Sequence, residues 1–425
     1  MKKYRISELF DYEKGSLQST KSIEGEYNFL TAAQEWKSHN TFTHDTEALV
    51  FAAAASGSLG RTHYINEKFI ASDLCFILTP KADSDLKLDL EFYHIIFNFV
   101  KTDLVKRTKA GTSKEAIGLK NFGKYELPYI PYDEQIILKN RVKEFGLKQI
   151  LFLNELNKQQ TYITKLRQAF LTEAMQGKLV PQDPNDEPAS ELLKKIKAEK
   201  EKLIKENKIK KQKPLPVIKP EEIPYEIPEN WVWVRLGEIC TKITDGFHNT
   251  PPKSKKGFPY ISAKHIRIGK IDWKNCDYVN EKYHKELYQK ASPNNGELLI
   301  VNIGAGCATP AIIDISYEFS FKNVALLKFN KDLVSKKFLE HYFVNQKNNI
   351  YMKLTKGGLQ PFLSLKILEN IIIPFPPLIE QKRIVEKLDK LMQKCDELEA
   401  SINTSKEQTE QLMEVLLKEA LIPQN

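Results

Sequence analysis

Apolar residues between positions 138 and 170 recur at steps that sum to sevens: Leu138, Val142, Phe145, Phe152, Leu156, Leu166 and Phe170. The series returns 246 positions later at Ile384, Leu388, Leu391, Leu398, Ile402, Leu412 and Leu416. Steps of four and three put one narrow apolar stripe on a helix, the seam of a coiled coil. The stripe is interrupted at Gln149 opposite Cys395, Gln159 opposite Ser405, and Ile163 opposite Thr409. Polar seam positions lower stability and fix register. Each stripe predicts a helix of about 40 residues, roughly 60 Å long at 1.5 Å per residue. Two unrelated surface helices would also carry apolar stripes, but stripes this narrow and long favour a helical partner, and the other copy supplies one.

The repeat extends beyond the stripes. Shifting the chain by 246 puts Pro128, Pro131, Glu134 and Gln135 on Pro374, Pro377, Glu380 and Gln381. The same shift lays KAGTSKEAIGL (109–119) on TKGGLQPFLSL (355–365), with Gly111 on Gly357. Further upstream the offset falls to 230 or 231, where YRISELF (4–10) meets VRLGEIC (234–240) and NFLTAA (28–33) meets PYISAK (259–264). The second copy therefore holds about 15 extra residues between its early strands and the glycine turn GAGC (304–307), the counterpart of SGSLG (56–60). Short apolar runs such as ALVFAAAA (48–55), ELLIVNI (297–303) and VALLKF (324–329) read as strands between loops. Each non-coil unit is thus mixed α/β. The predicted order is a globular unit at 1–133, a helix with a Lys/Pro-rich linker at 134–226, a second globular unit at 227–378, and a second helix at 379–425. The linker begins lysine-rich and helix-forming. It ends extended, stiffened by Pro214, Pro216, Pro220, Pro224 and Pro228.

Composition narrows the class. A length of 425 residues fits two to four domains, and 41% hydrophobic residues supply real cores. No apolar run reaches the roughly 18 residues of a membrane span, and the start MKKYRISELFDYEKG has no signal-peptide apolar region. Cys75, Cys240, Cys276, Cys307 and Cys395 form no CxxC pair, so reduced thiols in a cytoplasmic setting are expected. The net charge of +9 leans toward a polyanionic partner.

Catalytic signatures are lacking. GTSK (111–114) is too short for a nucleotide-binding loop, and Gly304-Ala305-Gly306 has no third glycine opening a helix. NTPPK (249–253) interrupts the Asn-Pro-Pro-aromatic pattern of amino methyltransferases with Thr250 and ends in lysine; it reads as a rigid surface loop. His39 and His44 have no companion ligands at metal spacing. A chain without catalytic, cofactor or metal residues of its own is expected.

Over essentially its whole length the chain resembles the specificity (S) subunit of type I restriction-modification systems. IPENWVWVRLGEICTKITDG (227–246) and FPYISAKHIRIGKI (258–271) are similar to the family's entry into a target-recognition domain. PFPPLIEQKRIVEKLD (374–389) is similar to its entry into a conserved helix. LRQAFLTEAMQGKLVPQDPNDEPASELLKKIKAEKEKLIKE (166–206) is similar to its central conserved region. One departure stands out: the first recognition domain starts almost at Met1, is shorter, and lacks a WxWVRLGEI-type lead.

The resemblance implies an α+β architecture: two mixed α/β target-recognition domains separated by two long antiparallel coiled-coil helices, with pseudo-twofold internal repeat. It implies double-stranded DNA as ligand, each domain reading one half of an asymmetric bipartite site, with the helices setting the spacer. Implied partners are two modification (methyltransferase) subunits and, in the full assembly, restriction (motor-nuclease) subunits. S-adenosylmethionine, ATP and Mg would belong to those partners, and the chain itself would be non-catalytic. The alternatives are the recognition subunit of a related type IIB-like system and, from another class, a coiled-coil scaffold whose globular units bind proteins.

Phosphate contacts call for Lys or Arg, and base readout for polar side chains on loops. In the first unit the candidates are Lys14, Gln18, Ser19 and Lys21; Ser58 and Arg61; and Arg107, Lys109, Gly111, Thr112 and Lys114. In the second they are Asn249, Lys253, Lys255 and Lys256; Lys264, His265 and Arg267; and Lys356, Gly357 and Gln360. Any one of them is equally an ordinary solvated side chain. Their recurrence on equivalent loops is what groups them, and glycines there let backbone approach phosphate.

Overall fold

The computed structural model describes residues 2–54, 57–110, 115–247, 250–356 and 361–421. The candidates Gly111, Thr112, Lys114, Asn249, Gly357 and Gln360 lie outside the described residues. The chain forms two compact units, Met1–Gln159 with Ser401–Asn425, and Gln160–Ala400. Both long helices contribute one part to each unit, so these units do not coincide with segments cut at the helix starts.

The first unit opens with β1 (Lys2–Arg5), the short helix α1 (Ile6–Leu9), β2 (Phe10–Lys14), β3 (Tyr27–Leu30), β4 (Lys37–His39), β5 (His44–Ala52), β6 (Thr62–Ala71) and β7 (Cys75–Pro80). Helix α2 (Leu90–Thr108), the hairpin β8 (Lys109–Ala110) and β9 (Ala116–Ile117), the short helix α3 (Leu119–Gly123) and β10 (Glu126–Tyr129) follow. Six strands form one sheet in the order β2-β7-β5-β6-β3-β4, with β3 parallel to β6 and the other pairs antiparallel. Strand β5 is buried on both faces, as its unbroken apolar run ALVFA requires. Leu49 and Phe51 pack with Phe92, Tyr93, Ile96 and Phe97 of α2. Ala48, Val50 and Ala52 pack with Ile65, Phe69 and Ile77 in a separate cluster. Each fully buried phenylalanine contributes roughly 1.5–3 kcal/mol through removal from water.

Helix α4 (Tyr132–Met175) and, after a connecting segment, α5 (Ala189–Lys205) lead to the second unit's strands and helices. These are β11 (Val232–Arg235), α6 (Leu236–Ile239), β12 (Lys242–Asp245), β13 (Phe258–Ser262), β14 (Ile266–Arg267), β15 (Lys270–Ile271), β16 (Asp277–Val279) and α7 (Glu281–Ala291). They continue with β17 (Leu298–Val301), β18 (Pro310–Ile312), β19 (Ser320–Lys322), β20 (Val324–Lys328), α8 (Lys336–Leu354), α9 (Leu365–Asn370), β21 (Ile372–Phe375) and α10 (Leu378–Leu421). Two sheets, β12-β20-β17-β18 and β16-β13-β19, reproduce the first unit's strand sequence, with parallel β13–β19 standing for β3–β6. The extra residues of this copy form the β14–β15 hairpin and α7. Lys242 and Lys328 donate to the Lys290, Ala291 and Ser292 carbonyls, placing cations where the C-terminal dipole of α7 favours them. The lysine-rich α5 buries Ala189, Leu192 and Ile196 in this unit's core, and Lys200 donates to the Gly237 carbonyl.

Helices α4 and α10 are 44 residues each, about 66 Å at 1.5 Å per residue, and their limits differ by the same 246 positions as the sequence repeat. In the second unit they run antiparallel: Arg167 pairs with Asp396 and Glu399, while farther along the chain Gln182 and Asp186 meet Glu380 and Arg383. In the first unit the Gln149 side chain donates to the Thr409 carbonyl at 2.8 Å.

The seam corrects the sequence reading. Phe152, Leu166, Leu398 and Leu412, expected within it, are 42–52% exposed. Ile163, Cys395 and Thr409, expected as interruptions, are buried, and Gln149 is half-buried. Leu156, Ile384, Leu388 and Ile402 are buried as expected; Leu138, Val142, Phe145, Phe170, Leu391 and Leu416 are half-buried. A straight helix turns every 3.6 residues, so a strict sevenfold count drifts by about 20° per heptad. Over this length the drift carries the buried face from Phe152 onto Leu153 and from Leu166 onto Arg167, both half-buried.

Candidate nucleic-acid interface

One end of the first unit's sheet gathers loops that are distant in sequence. The Gly15 amide donates to the Cys75 carbonyl, and the Asp73 amide to the Leu17 carbonyl. The Ala53 and Ala54 amides both donate to the Leu74 carbonyl, and Ile117 donates to Ala53. The segment after β2, the glycine turn after β5, the β6–β7 turn and the β8–β9 hairpin therefore meet at one place. Gly15 is required there, because a Cβ would collide with the Ser72 carbonyl oxygen.

The second unit builds the same junction. Phe247 donates to the Phe321 carbonyl, Asn302 to Asn323, Gly304 to Pro361 and Leu363 to Asn302. Gly246 fills the role of Gly15, its hypothetical Cβ colliding with the Phe321 carbonyl. The hairpins match residue for residue: Ala110 opposes Ala116, and Lys356 opposes Phe362. Asn302 is 6% exposed, and its side-chain oxygen has no hydrogen-bond partner among the described residues. In both units the junction lies at the end of α2 or α8, each 19 residues and about 28 Å long, opposite the helix start that abuts α4 or α10.

The candidates divide. Lys14, Gln18, Ser58, Lys109 and Lys356 flank this junction, on the segments just described. Ser19 and Lys21 continue the segment after β2, with the Lys21 amide on the Gln18 carbonyl. Arg61 is half-buried and commits its guanidinium to the Ala32 carbonyl and Ser58 hydroxyl, bracing the glycine turn. Arg107 pairs with Asp103 on the last turns of α2. Lys109 pairs with Glu115 at 2.5 Å across the hairpin; an exposed pair of this kind is worth about 0–1 kcal/mol, so phosphate can displace it.

In the second unit Lys253 and Lys264 both bind Asp277, which opposes Tyr260 near the end of β13 that runs alongside Lys322. Burial acts to raise the Asp277 carboxyl, but the two ammonium groups hold it below its ordinary range. Lys255, Lys256 and Arg267 are exposed, and Arg267 donates to the Lys264 carbonyl. His265 is 3% exposed, and its Nδ1 accepts the Ser262 amide, so it shapes a turn; burial pushes its imidazole below the ordinary value. Sequence reading passed over two further turns at the junction, Ser72–Leu74 and Lys322–Asn323. The signal was a polar break of one or two residues inside an apolar run, as in FKNVALL.

Among the described residues no group of three or more His, Cys, Asp or Glu could hold a metal ion, and no helix is long and apolar enough to cross a membrane.

The family described as the type I restriction modification DNA specificity domain matches residues 1–162 and 228–408, one stretch in each repeat. The chain is 35% identical over 269 residues to the Escherichia coli type I restriction enzyme EcoAI specificity subunit, covering 61% of this chain and 45% of that protein. It is 37% identical over 279 residues to the Escherichia coli EcoEI specificity subunit, covering 62% and 45%. The chain spans about half the length of these relatives. The fold is shared with a chain from a structure of type I R-M system assembly and conformational transition, at TM-score 0.67, 16% identity and coverage of 99% and 97%. It is also shared with the HsdS subunit from Thermoanaerobacter tengcongensis, at TM-score 0.58, 16% identity and coverage of 99% and 96%. Duplicated α/β units, equal long helices and a family match in each repeat lead to one assignment: the chain belongs to the type I restriction-modification DNA specificity family.

Proposed function

We propose that this chain is the DNA sequence-recognition subunit of a type I restriction-modification complex, reading one half of an asymmetric bipartite site with each repeat. The observation that carries this is the repeated junction: the same four-loop end is built twice on one backbone plan, from different side chains. Two such ends joined in one chain gain affinity through effective concentration, and unlike linings select unlike half-sites. The long helices set the number of unread base pairs and dock two modification subunits, with restriction subunits joining in the full complex. The chain performs no chemistry; S-adenosylmethionine, ATP and Mg are used by those partners.

The test is a map of methylated bases produced by the chain with its modification subunits. A bipartite motif with a fixed spacer is expected, and one heptad inserted into α4 should change that spacer. An unaltered spacer would refute the ruler role. A purified complex that shows no salt-dependent shift of duplex DNA would refute DNA reading altogether. The second outcome favours a protein-binding scaffold.

A further inference from the structure

We propose that the turn between β6 and β7 and its counterpart between β19 and β20 are base-reading elements, with Asp73 accepting from one half-site and Lys322 donating to the other. This rests on the DNA-reading function proposed above. The first turn is pinned on every side by backbone: Ser72 to Leu30, Asp73 to Leu17, Cys75 to Ser72, and Ala53 with Ala54 to Leu74. It therefore sits between the segment after β2 and the glycine turn after β5, the two loops that carry Lys14, Gln18 and Ser58. If those loops meet the duplex, the turn between them meets it too.

Its side chain is chemically out of place there. The fold of the turn is served by Ser72, fully buried, whose hydroxyl accepts the Leu74 amide. The Asp73 carboxylate accepts a long hydrogen bond from the Ser72 hydroxyl at 3.3 Å. A carboxylate is repelled by phosphate, so in a cation-bearing end it is a poor backbone ligand. It suits a base edge: ionised, it only accepts, and the major groove offers it the amino groups of cytosine N4 or adenine N6.

The second unit carries the opposite charge on the same turn, one position earlier: the bridge of Leu17 to Ser72 recurs as Phe247 to Lys322, so Lys322 stands where Ser72 does. Lys322 stands one residue before the turn's bend and donates to the Thr250 hydroxyl at 2.5 Å, leaving further N–H donors. Asn323 follows at φ 57°, a left-handed conformation that non-glycine residues adopt at a cost, held by the Asn302 amide on its carbonyl. A donor-only group selects guanine O6 and N7. One backbone device thus reads an amino-bearing base in one half-site and guanine in the other.

The experiment compares base-preference profiles, from binding to a randomised bipartite duplex, for the wild-type complex and the Asp73→Asn, Asp73→Ala and Lys322→Gln variants. Wild type should show cytosine or adenine at one position of the first half-site. Asp73→Ala should lose that preference by roughly five- to hundredfold while every other position is retained, and Asp73→Asn, which keeps one acceptor and gains a donor, should move it toward adenine. Lys322→Gln should relax one guanine in the other half-site only. Asp73→Asn is isosteric and keeps the Ser72 hydrogen bond, so it reads the carboxylate without disturbing the turn. A sharp wild-type motif with a superimposable Asp73→Ala profile overturns the assignment and leaves DNA reading intact. A wild-type complex with no sequence preference overturns both.

Discussion

Gln135 and Gln381, 246 positions apart, hold their helices by the same pair of hydrogen bonds. Gln135 Oε1 accepts the Asp89 amide at 2.8 Å while its Nε2 donates to the Ile130 carbonyl at 2.8 Å. Gln381 Oε1 accepts the Ser335 amide at 2.9 Å, and its Nε2 donates to Pro376 at 2.9 Å. Asp89 and Ser335 are the N-caps of α2 and α8, so each glutamine joins a long helix to the helix that carries the junction. Both glutamines are completely buried. Alanine at either site strands a buried amide and should cost about 1–3 kcal/mol, read from the denaturant midpoint. Wild-type midpoints for both variants would contradict the clamp.

The buried face of α4 gives a sharp contrast. Leu156→Ala removes a buried side chain and should destabilise by about 2–5 kcal/mol, whereas Phe152→Ala, half-exposed, should cost far less despite the larger residue. Reversed magnitudes in thermal or chemical unfolding would restore the strict heptad seam.

Gly15→Ala and Gly246→Ala place a methyl group against a carbonyl oxygen in the two junctions. Each should shift the backbone and cost about 1–3 kcal/mol. Sequence preference should degrade in the half-site read by the altered unit alone, a separation that the methylation map reports directly.

Acidification should destabilise the fold. Burial, the largest cause in each case, lowers the imidazoles of His63, His94, His265 and His341 below their ordinary 6.5. A lowered folded value means stability that is present above the ordinary value and lost as pH falls through the folded one. The thermal midpoint should drop between about pH 7.5 and about pH 5.5. Glu380 works in the opposite sense, its carboxyl raised by burial and held by Trp231 and Gln182, so its contribution fades as pH rises. A midpoint that climbs on acidification would show that the histidines do not dominate.

Lys109 and Lys356 lie on the same strand of the two hairpins, one register position apart. Charge reversal at both should weaken DNA binding and lower the slope of log affinity against log salt by about 2, near one unit for each phosphate left without its lysine. An unchanged slope would remove them from the backbone contacts.

Much of this organisation was legible in the sequence because duplication prints itself twice. The Pro-x-x-Pro-x-x-Glu-Gln entry fixed the start of both long helices, and the 246-residue shift carried through to α2 and α8. The seam failed where counting by sevens replaced the true helical turn, which put Phe152 in the place of Leu153. The interface was legible loop by loop but not as a place, because hydrogen bonds such as Asp73 to Leu17 and Ile117 to Ala53 join segments with no shared pattern. His265 misled for a related reason: a polar residue in a basic stretch gave no hint that its ring turns inward to the Ser262 amide.

The 19 residues of α2 and of α8 put distance between each glutamine clamp and the turns at the opposite helix end. On the DNA-reading role proposed above, substitution of the exposed side chains on those turns would rewrite which bases are preferred with little penalty in folding. The clamp in turn can stay fixed through such rewriting, which makes new specificities easy to explore while the scaffold is inherited intact.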